Sequence, residues 1–205
     1  SSCGWLIDSF GQCAQLPQIL SLAGVHYHVF FRQGREGMPS EFFWEGLDGT
    51  RILTHWMPLA YSAAYPLVED QAIAEKRLGA ALSTLADKAT SPEIFCPHGN
   101  DHARPQSSAP KFIAAWNDHH PKAQAQFSLP SRFFESLPKD NLQIIRGDFT
   151  GIFTGTYSSR IMLKILNRQA EIALMEAERI GTLLSQLTGA PPPDLDDAWE
   201  PVMFN

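Results

Sequence analysis

The sequence has few of the features that mark membrane-spanning, nucleic-acid-binding or disulfide-stabilised proteins. No apolar stretch in its 205 residues approaches the length of a membrane span. The net charge is −6 and no basic run exceeds two residues, which argues against a nucleic-acid surface. The three cysteines are odd in number and unpatterned. We therefore expect reduced thiols in a cytoplasmic protein rather than a disulfide framework.

The residues that are present indicate a globular α/β fold. An apolar fraction of 44% leaves no case for disorder. Apolar runs with strand character alternate with segments of helical spacing, which is the rhythm of a parallel sheet, open or closed into a barrel. A hairpin is expected around Asp48-Gly49. The expected strands are residues 4–8, 26–32, 94–96 and 125–129, and the expected helices are 11–23, 69–89, 111–119 and 131–137.

The alternation of strands and helices stops near residue 146. Residues 146–157 are rich in glycine, threonine and phenylalanine and are expected to cross between domains. An apolar seam then predicts one long helix over residues 159–187, which Gly189 and three prolines end. A short final helix follows. We expect domains of residues 1–146 and 147–205, with the long helix exposing a face that belongs to a helical bundle.

Two aspartates follow expected strands. Asp8 follows Trp5-Leu6-Ile7, and Asp101 follows the strand expected at residues 94–96. In α/β folds the carboxyl ends of the strands converge on one face. A pair of carboxylates is the minimum that a glycoside hydrolase needs for catalysis. A retaining enzyme requires the two carboxyl groups about 5–5.5 Å apart. Position alone also allows Asp8 to cap a helix and Asp101 to form an Asx turn.

Seven histidines raise the question of a metal site within this chain. His26 and His28 share one face of an expected strand, His98 and His102 flank Asp101, and two more end a helix. Zinc requires three or four converging ligands, and no group in the sequence shows that convergence. We expect His102 to contact substrate or a neighbouring side chain rather than a metal ion.

Ordered motifs along the whole chain resemble glycoside hydrolase family 38, the retaining α-mannosidases. The first motif reads W-L-I-D-S-F-G and continues through L-P-Q-I-L to Gly24. Next come V-F-F-R ending at Arg32, F-W-E-G-L-D-G-T and T-H-W-M-P, and the loop H-G-N-D-H around Asp101. The stretch G-T-Y-S-S-R from Gly155 resembles the start of the helical domain that follows the catalytic domain.

This resemblance implies a role for each matching residue. Asp8 corresponds to the nucleophile, which in the family is also a zinc ligand, and Asp101 to the general acid/base. Substrate-binding positions correspond to Phe10, Arg32 and Tyr61, to which we add His102. From the residues alone, Arg32 could equally form an ion pair of the fold, and Phe10 could equally belong to the core.

The resemblance also implies a longer enzyme. The chain then holds one of four zinc ligands, with the others outside it, and forms part of a (β/α)7 barrel followed by a long helix of a bundle. We expect the complete enzyme to be a homo-oligomer that hydrolyses terminal α-mannosides, and the isolated chain to be inactive. A non-catalytic carbohydrate-binding or structural remnant is the alternative, and a deacetylase-like barrel is a weaker one that the ordered motifs do not support.

Overall fold

A computed structural model describes residues 2–67 and 70–204. The chain forms two compact units, one reaching Thr154 and the other beginning at Gly155. In the first unit the strands are β1 (Cys3–Leu6), β2 (Tyr27–Phe30), β3 (Glu41–Glu45), β4 (Arg51–Trp56) and β5 (Ile144–Arg146). Its helices are α1 (Leu16–Leu22), α2 (Gln71–Ala86), α3 (Ala109–His119) and α4 (Pro130–Ser136). The predicted α/β class is confirmed.

The five strands form one mixed sheet in the order β1-β2-β4-β3-β5. Strands β1, β2 and β4 are parallel, whereas β3 is antiparallel to β4 because the two form the predicted hairpin. The connection of this hairpin is longer than a two-residue turn, since Glu45 pairs with Arg51 and Gly46 donates to the carbonyl of Thr50. The sheet is open, with β1 and β5 at its edges.

Both faces of the sheet are covered by apolar side chains. Neighbouring residues on one strand point to opposite faces, and accordingly Val29 and Phe30 belong to different clusters. On one face Phe133 and Phe134 of α4 pack against the sheet. On the other face, Phe149, which follows β5 in the chain, packs against Trp44 of β3. The sheet is therefore a buried platform whose strand ends carry the polar side chains described below.

Two predicted strands are wrong. Residues 94–96 form no strand, and the prolines Pro92 and Pro97 that bound this short run cannot donate a ladder hydrogen bond. Residues 125–129 form none either. There the side-chain amide of Asn117 satisfies Ala125, accepting from its N–H at 2.7 Å and donating to its carbonyl at 2.9 Å. A side chain thus replaces the neighbouring strand.

The predicted helices are confirmed with shifted ends. Helix α1 starts late because Pro17 lies in its first turn, and Gly24 just after it has φ +72°. Helix α2 begins after Asp70, whose carboxylate accepts from the N–H of Ile73 at 3.0 Å. Glu69, where the sequence predicts this helix to start, lies outside the described residues. No helix among the described residues is long and apolar enough to cross a membrane.

The second unit consists of a 3-10 turn and two helices. The long helix α5 spans Ile161–Thr188 and ends at Gly189, whose φ is +75°, as predicted. Helix α6 (Asp196–Phe204) follows, and its Trp199 indole donates to Glu178 of α5 at 2.7 Å. Much of the predicted apolar seam is solvent-exposed in this unit, including Leu163, Ile180 and Leu187.

Candidate active site

The carboxyl ends of β1 and β2 bring Asp8 and Arg32 together. These strands are parallel and adjacent, with Leu6 opposite Phe30, so the residues two positions beyond each strand end face one another. The Nε and a terminal nitrogen of Arg32 both contact Oδ1 of Asp8, at 2.7 and 2.5 Å. Within the described residues, Oδ2 of Asp8 accepts no hydrogen bond. The side chains are 44% exposed for Asp8 and 30% for Arg32.

Two aromatic rings pack against the Arg32 guanidinium. Its central carbon lies 4.9 Å from the ring centroid of Phe10 and 4.9 Å from that of Phe31. Such cation–aromatic contacts restrict the plane of the guanidinium and thereby the direction in which it meets Asp8. Phe10 is half-buried and also packs on Phe153 at 5.1 Å. Phe153 is itself 69% exposed, so this contact lies at the surface and does not place Phe10 in the core.

The backbone around Phe31 is held by Trp56, the last residue of β4. The Trp56 indole donates to the carbonyl of Phe31 at 2.8 Å. A Cβ at Gly34 would lie 2.0 Å from this indole ring, so only glycine fits there. The indole thus holds the segment that carries Arg32 against the end of the sheet.

The second carboxylate is held by Tyr61, which follows β4 in the chain. The Tyr61 hydroxyl donates to Oδ2 of Asp101 at 2.9 Å. The tyrosine ring packs edge-on against Phe31, with the centroids 6.0 Å apart. Phe31 therefore touches both the Arg32 guanidinium and the Tyr61 ring, and links the two halves of the site.

Electrostatics also join the two halves. The hydrogen bond to Asp101 raises the pKa of Tyr61 above its ordinary value, and desolvation adds to this. The negative charges of Asp8 and Asp101 raise the Tyr61 pKa further, while the positive charge of Arg32 lowers it. Both carboxylates and the guanidinium are thus close enough to act on one phenol.

His102 and the surroundings of Asp101 are open. Asp101 and His102 are exposed, and His102 has φ +54°. In the described part of the chain no hydrogen bond or ion pair connects His102 to the other site residues. A pocket of about 420 Å³ lies beside the loop, lined by His98 and Arg104 among others, but neither carboxylate lines it.

Sequence reasoning did not single out Phe31. It is the residue immediately before Arg32 in the quoted motif V-F-F-R, and this position was the available signal. An aromatic residue at a strand end is usually assigned to the core. Only the structure shows that this one contacts both Arg32 and Tyr61.

Residues 2–67 and 70–204 contain no group of three or more histidine, cysteine, aspartate or glutamate side chains that could hold a metal ion. His28 is buried, and burial lowers its pKa to about 4 against a smaller opposing effect of the Gly4 backbone. Burial raises the pKa of both Cys3 and Cys96 to about 11, which disfavours their thiolates. Within these residues the Asp8 carboxylate therefore belongs to no group of three potential metal ligands.

Comparison with known proteins agrees with the motif series. Residues 1–157 match the family model described as the glycosyl hydrolases family 38 N-terminal domain. The chain belongs to glycosyl hydrolase family 38. This finding confirms the resemblance stated from the motifs.

Relatives within family 38 are named α-mannosidases. The chain is 26% identical over 216 residues to human alpha-mannosidase 2C1, covering 98% of the chain and 20% of that protein. It is 25% identical over 208 residues to alpha-mannosidase G of Dictyostelium discoideum, covering 98% and 19%. The crystal structure of an alpha-mannosidase from Enterococcus faecalis V583 superimposes with a TM-score of 0.68 at 26% identity, over 74% of this chain and 18% of that one. The chain spans about a fifth of the length of the curated relatives it matches.

Proposed function

We propose that this chain is the part of a longer enzyme that carries both catalytic carboxylates for the hydrolysis of terminal α-mannosides. Membership of family 38 supports the reaction class. The observation that carries the proposal is the linked pair of Asp8–Arg32 and Tyr61–Asp101, joined through Phe31 at the ends of adjacent strands. A retaining double displacement uses two carboxylates about 5–5.5 Å apart, and the effect of both Asp8 and Asp101 on the Tyr61 pKa supports their assignment to one site.

Asp8 acts as the nucleophile in this proposal. One oxygen, Oδ1, accepts from Arg32, which sets the orientation of the carboxylate. Oδ2 is left to attack the anomeric carbon, forming the glycosyl–enzyme bond as the bond to the leaving oxygen breaks. Phe10, which flanks Arg32, offers an apolar surface for the sugar ring, and Arg32 itself could donate to a sugar hydroxyl through its remaining N–H groups.

Asp101 acts as the general acid and then as the general base. In the first step it protonates the leaving oxygen, and in the second it takes a proton from the water that attacks the glycosyl–enzyme bond. Tyr61 orients this carboxylate through Oδ2. The exposure of Asp101 leaves a route for the attacking water. Exposed His102, next in the chain, is proposed to contact substrate rather than metal.

We further propose one zinc ion in the complete enzyme, with Asp8 as the ligand supplied by this chain. The described residues do not fit a complete zinc site, because no three suitable side chains converge there. The remaining ligands would come from other parts of the protein. Zinc would contribute positive charge beside the sugar hydroxyls. No step of the mechanism above depends on it.

The surrounding assembly is also a proposal. The open sheet edges and the exposed seam of α5 support a chain that is completed by further segments, as a partial (β/α)7 barrel and the first helices of a bundle. A cytoplasmic homo-oligomer is the form we propose for the complete enzyme. The isolated 205 residues should show no turnover, since the sheet that carries Asp8 is open at its edges and the apolar seam of α5 is exposed.

The test is hydrolysis of an aryl α-mannoside by the complete protein and by its Asp8→Asn and Asp101→Asn variants. Both variants should lose activity, and proton NMR of the first-formed sugar should show the α-anomer, as retention requires. Formation of the β-anomer would contradict a nucleophilic role for Asp8. Mannose binding without turnover by the complete wild-type protein would favour the non-catalytic alternative.

A further inference from the structure

The segment that delivers Asp101 has an unusual support. Residues 94–96 do not pair with the sheet, so no ladder of backbone hydrogen bonds holds them. A catalytic carboxylate must nevertheless be held to within a fraction of an ångström, because a misplacement of ~1 Å can cost ~10²-fold in rate. Something other than strand pairing must therefore hold the path between Thr90 and Asp101.

The start of this segment is attached to a buried glutamate of the sheet. Glu41, the first residue of β3, is 1% exposed. Its Oε2 accepts from the backbone N–H of Thr90 and from the Thr90 hydroxyl, each at 2.8 Å. Next to it, the N–H of Ser40 donates to the carbonyl of Lys88 at 2.8 Å. The chain that follows α2 is thus attached to the start of β3.

The other oxygen of the same glutamate holds His55. Nδ1 of His55 lies 2.8 Å from Oε1 of Glu41, and the histidine side chain is 2% exposed. The N–H and the hydroxyl of Thr90 both donate to Glu41, which suits a carboxylate, a group that only accepts. Nδ1 therefore carries the hydrogen, and the orientation of the imidazole ring is fixed by Glu41.

The oriented imidazole in turn packs against the middle of the segment. The His55 ring centroid lies 4.9 Å from that of Phe95 and 5.4 Å from that of Phe133. Phe95 also packs on Phe133 at 5.1 Å. Further along, the carbonyl of Pro97 accepts from the N–H of Ala64 at 2.9 Å, in the turn that begins with Tyr61.

We infer that Glu41 is a positioning residue for the proposed general acid Asp101, acting through Thr90 and through His55 against Phe95. This inference rests on the proposed function of Asp101. Glu41 itself does not meet the substrate, since it is buried in the sheet. Its effect should therefore appear in how well protons are delivered to the leaving group, and not in the attack by Asp8.

Leaving-group dependence separates this role from a merely structural one. Loss of a general acid costs about 10²–10⁴-fold where the leaving group needs a proton, and far less where it departs as a stable anion. The substrates are methyl α-mannoside, which needs the proton, and 2,4-dinitrophenyl α-mannoside, which does not. The measurement is kcat/KM on both substrates with the complete protein, because this constant reports the step in which the leaving group departs and not the later hydrolysis of the glycosyl–enzyme bond. Asp101→Asn provides the reference for a lost acid.

Glu41→Ala should lower kcat/KM on the methyl glycoside by about 10²-fold, the cost of a catalytic group displaced by ~1 Å, and kcat/KM on the dinitrophenyl glycoside much less. Glu41→Gln should recover part of this loss, because its amide can still accept from Thr90 and donate to the other tautomer of His55. Thr90→Val removes only the hydroxyl bond and should show a smaller loss of the same kind. Thr90→Val replaces Glu41→Ala in the test if the alanine variant does not fold.

Trp44→Phe is the matched control. It also removes a hydrogen bond from a buried side chain of β3, between the indole and the carbonyl of Gly147 at 3.0 Å, but its ring packs with Phe30 and Phe149, in a different core cluster from Phe95 and Phe133. It should not change the ratio of the two rates. Suppose that Asp101→Asn loses much more activity on the methyl glycoside than on the dinitrophenyl glycoside. Equal losses on both substrates in folded Glu41 variants, or no loss on either, would then overturn the inference. If Asp101→Asn loses activity equally on the two substrates, Asp101 is not the general acid, and the inference about Glu41 is then wrong as well.

Discussion

Replacing Arg32 by glutamine tests the geometry on which the proposed nucleophile depends. Arg32 contacts Oδ1 of Asp8 through two nitrogens and packs against two aromatic rings, those of Phe10 and Phe31. Glutamine keeps polarity and part of the length but loses the charge, the second contact and the cation–aromatic contacts. The Asp8 carboxylate would then be free to rotate away from the direction of attack.

The cost in stability should be small. An exposed ion pair contributes about 0.2–1 kcal/mol, and each cation–aromatic contact at an exposed site about 0.5–1 kcal/mol. The lower ends of these ranges apply here, because Arg32 is 30% and Asp8 44% exposed. The sum of about 1–2 kcal/mol is well below the roughly 5–15 kcal/mol of an ordinary folded protein. Almost all molecules should stay folded at the assay temperature.

The cost in activity should be larger than this. A displacement of a reacting group by ~1 Å costs ~10²-fold, which corresponds to about 2.7 kcal/mol of transition-state stabilisation. We expect Arg32→Gln to lower kcat/KM for an aryl α-mannoside in the complete protein by at least about that factor. Thermal unfolding, followed on the same samples, separates the two effects.

Arg51→Gln is the control for a lost ion pair of the same sheet. Arg51 contacts Glu45 at 2.7 Å in the hairpin, and its side chain is 50% exposed. This variant should change kcat/KM by less than about twofold, since only interactions that differ between the ground state and the transition state change the rate, and the Arg51–Glu45 pair should be the same in both. If Arg32→Gln and Arg51→Gln have the same activity, the orientation of Asp8 by Arg32 does not matter and the reasoning is refuted.

Four further predictions follow from particular contacts. Difference titration against Tyr61→Phe should place the Tyr61 pKa above its ordinary value, and Asp101→Asn should lower it because the hydrogen bond to Asp101 is the main cause of the shift; no change would contradict that bond. Because His28 has a pKa of about 4 when folded, against 6.5 in the unfolded chain, stability present above pH 6.5 should fall by about 3 kcal/mol as the pH drops to 4, and His28→Met should show a smaller fall in Tm over that range. Gly34→Ala should remove soluble folded protein or shift the Trp56 fluorescence, since the added Cβ would meet the indole at 2.0 Å, whereas Gly79→Ala, with nothing near its Cβ, should not. Metal analysis of the complete protein should find one zinc ion per chain that Asp8→Ala loses, and retention of the ion in that variant would exclude Asp8 as a ligand.

Local pattern was enough to predict most elements of this protein. The long helix α5 differs by about a turn or less at either end from its prediction, because 28 residues repeat one apolar period and Gly189 ends it. Pro17 and Gly24 bound α1 for equally local reasons. The motif around Asp8 likewise indicated the family directly, since order and spacing of residues are properties of the sequence alone.

Contacts between distant segments decided the rest. Residues 94–96 and 125–129 have strand-like composition, but a strand forms only where a neighbouring strand supplies hydrogen bonds. No strand pairs with residues 94–96, and the side chain of Asn117 bonds to Ala125 where a strand would have done so. Strand β5 was missed for the opposite reason. Its three residues carry no period, and they pair with β3 across about a hundred positions of sequence.

The candidate site divides in the same way. Asp8, Arg32, Tyr61 and Asp101 could be named from sequence because each residue type and its motif indicate a chemistry. The sequence does not show that Phe31 joins Arg32 to Tyr61, or that Glu41 pins Thr90 while holding His55. Those contacts arise when parallel strands bring their ends to one edge of the sheet and a buried carboxylate must find donors wherever the folded chain supplies them.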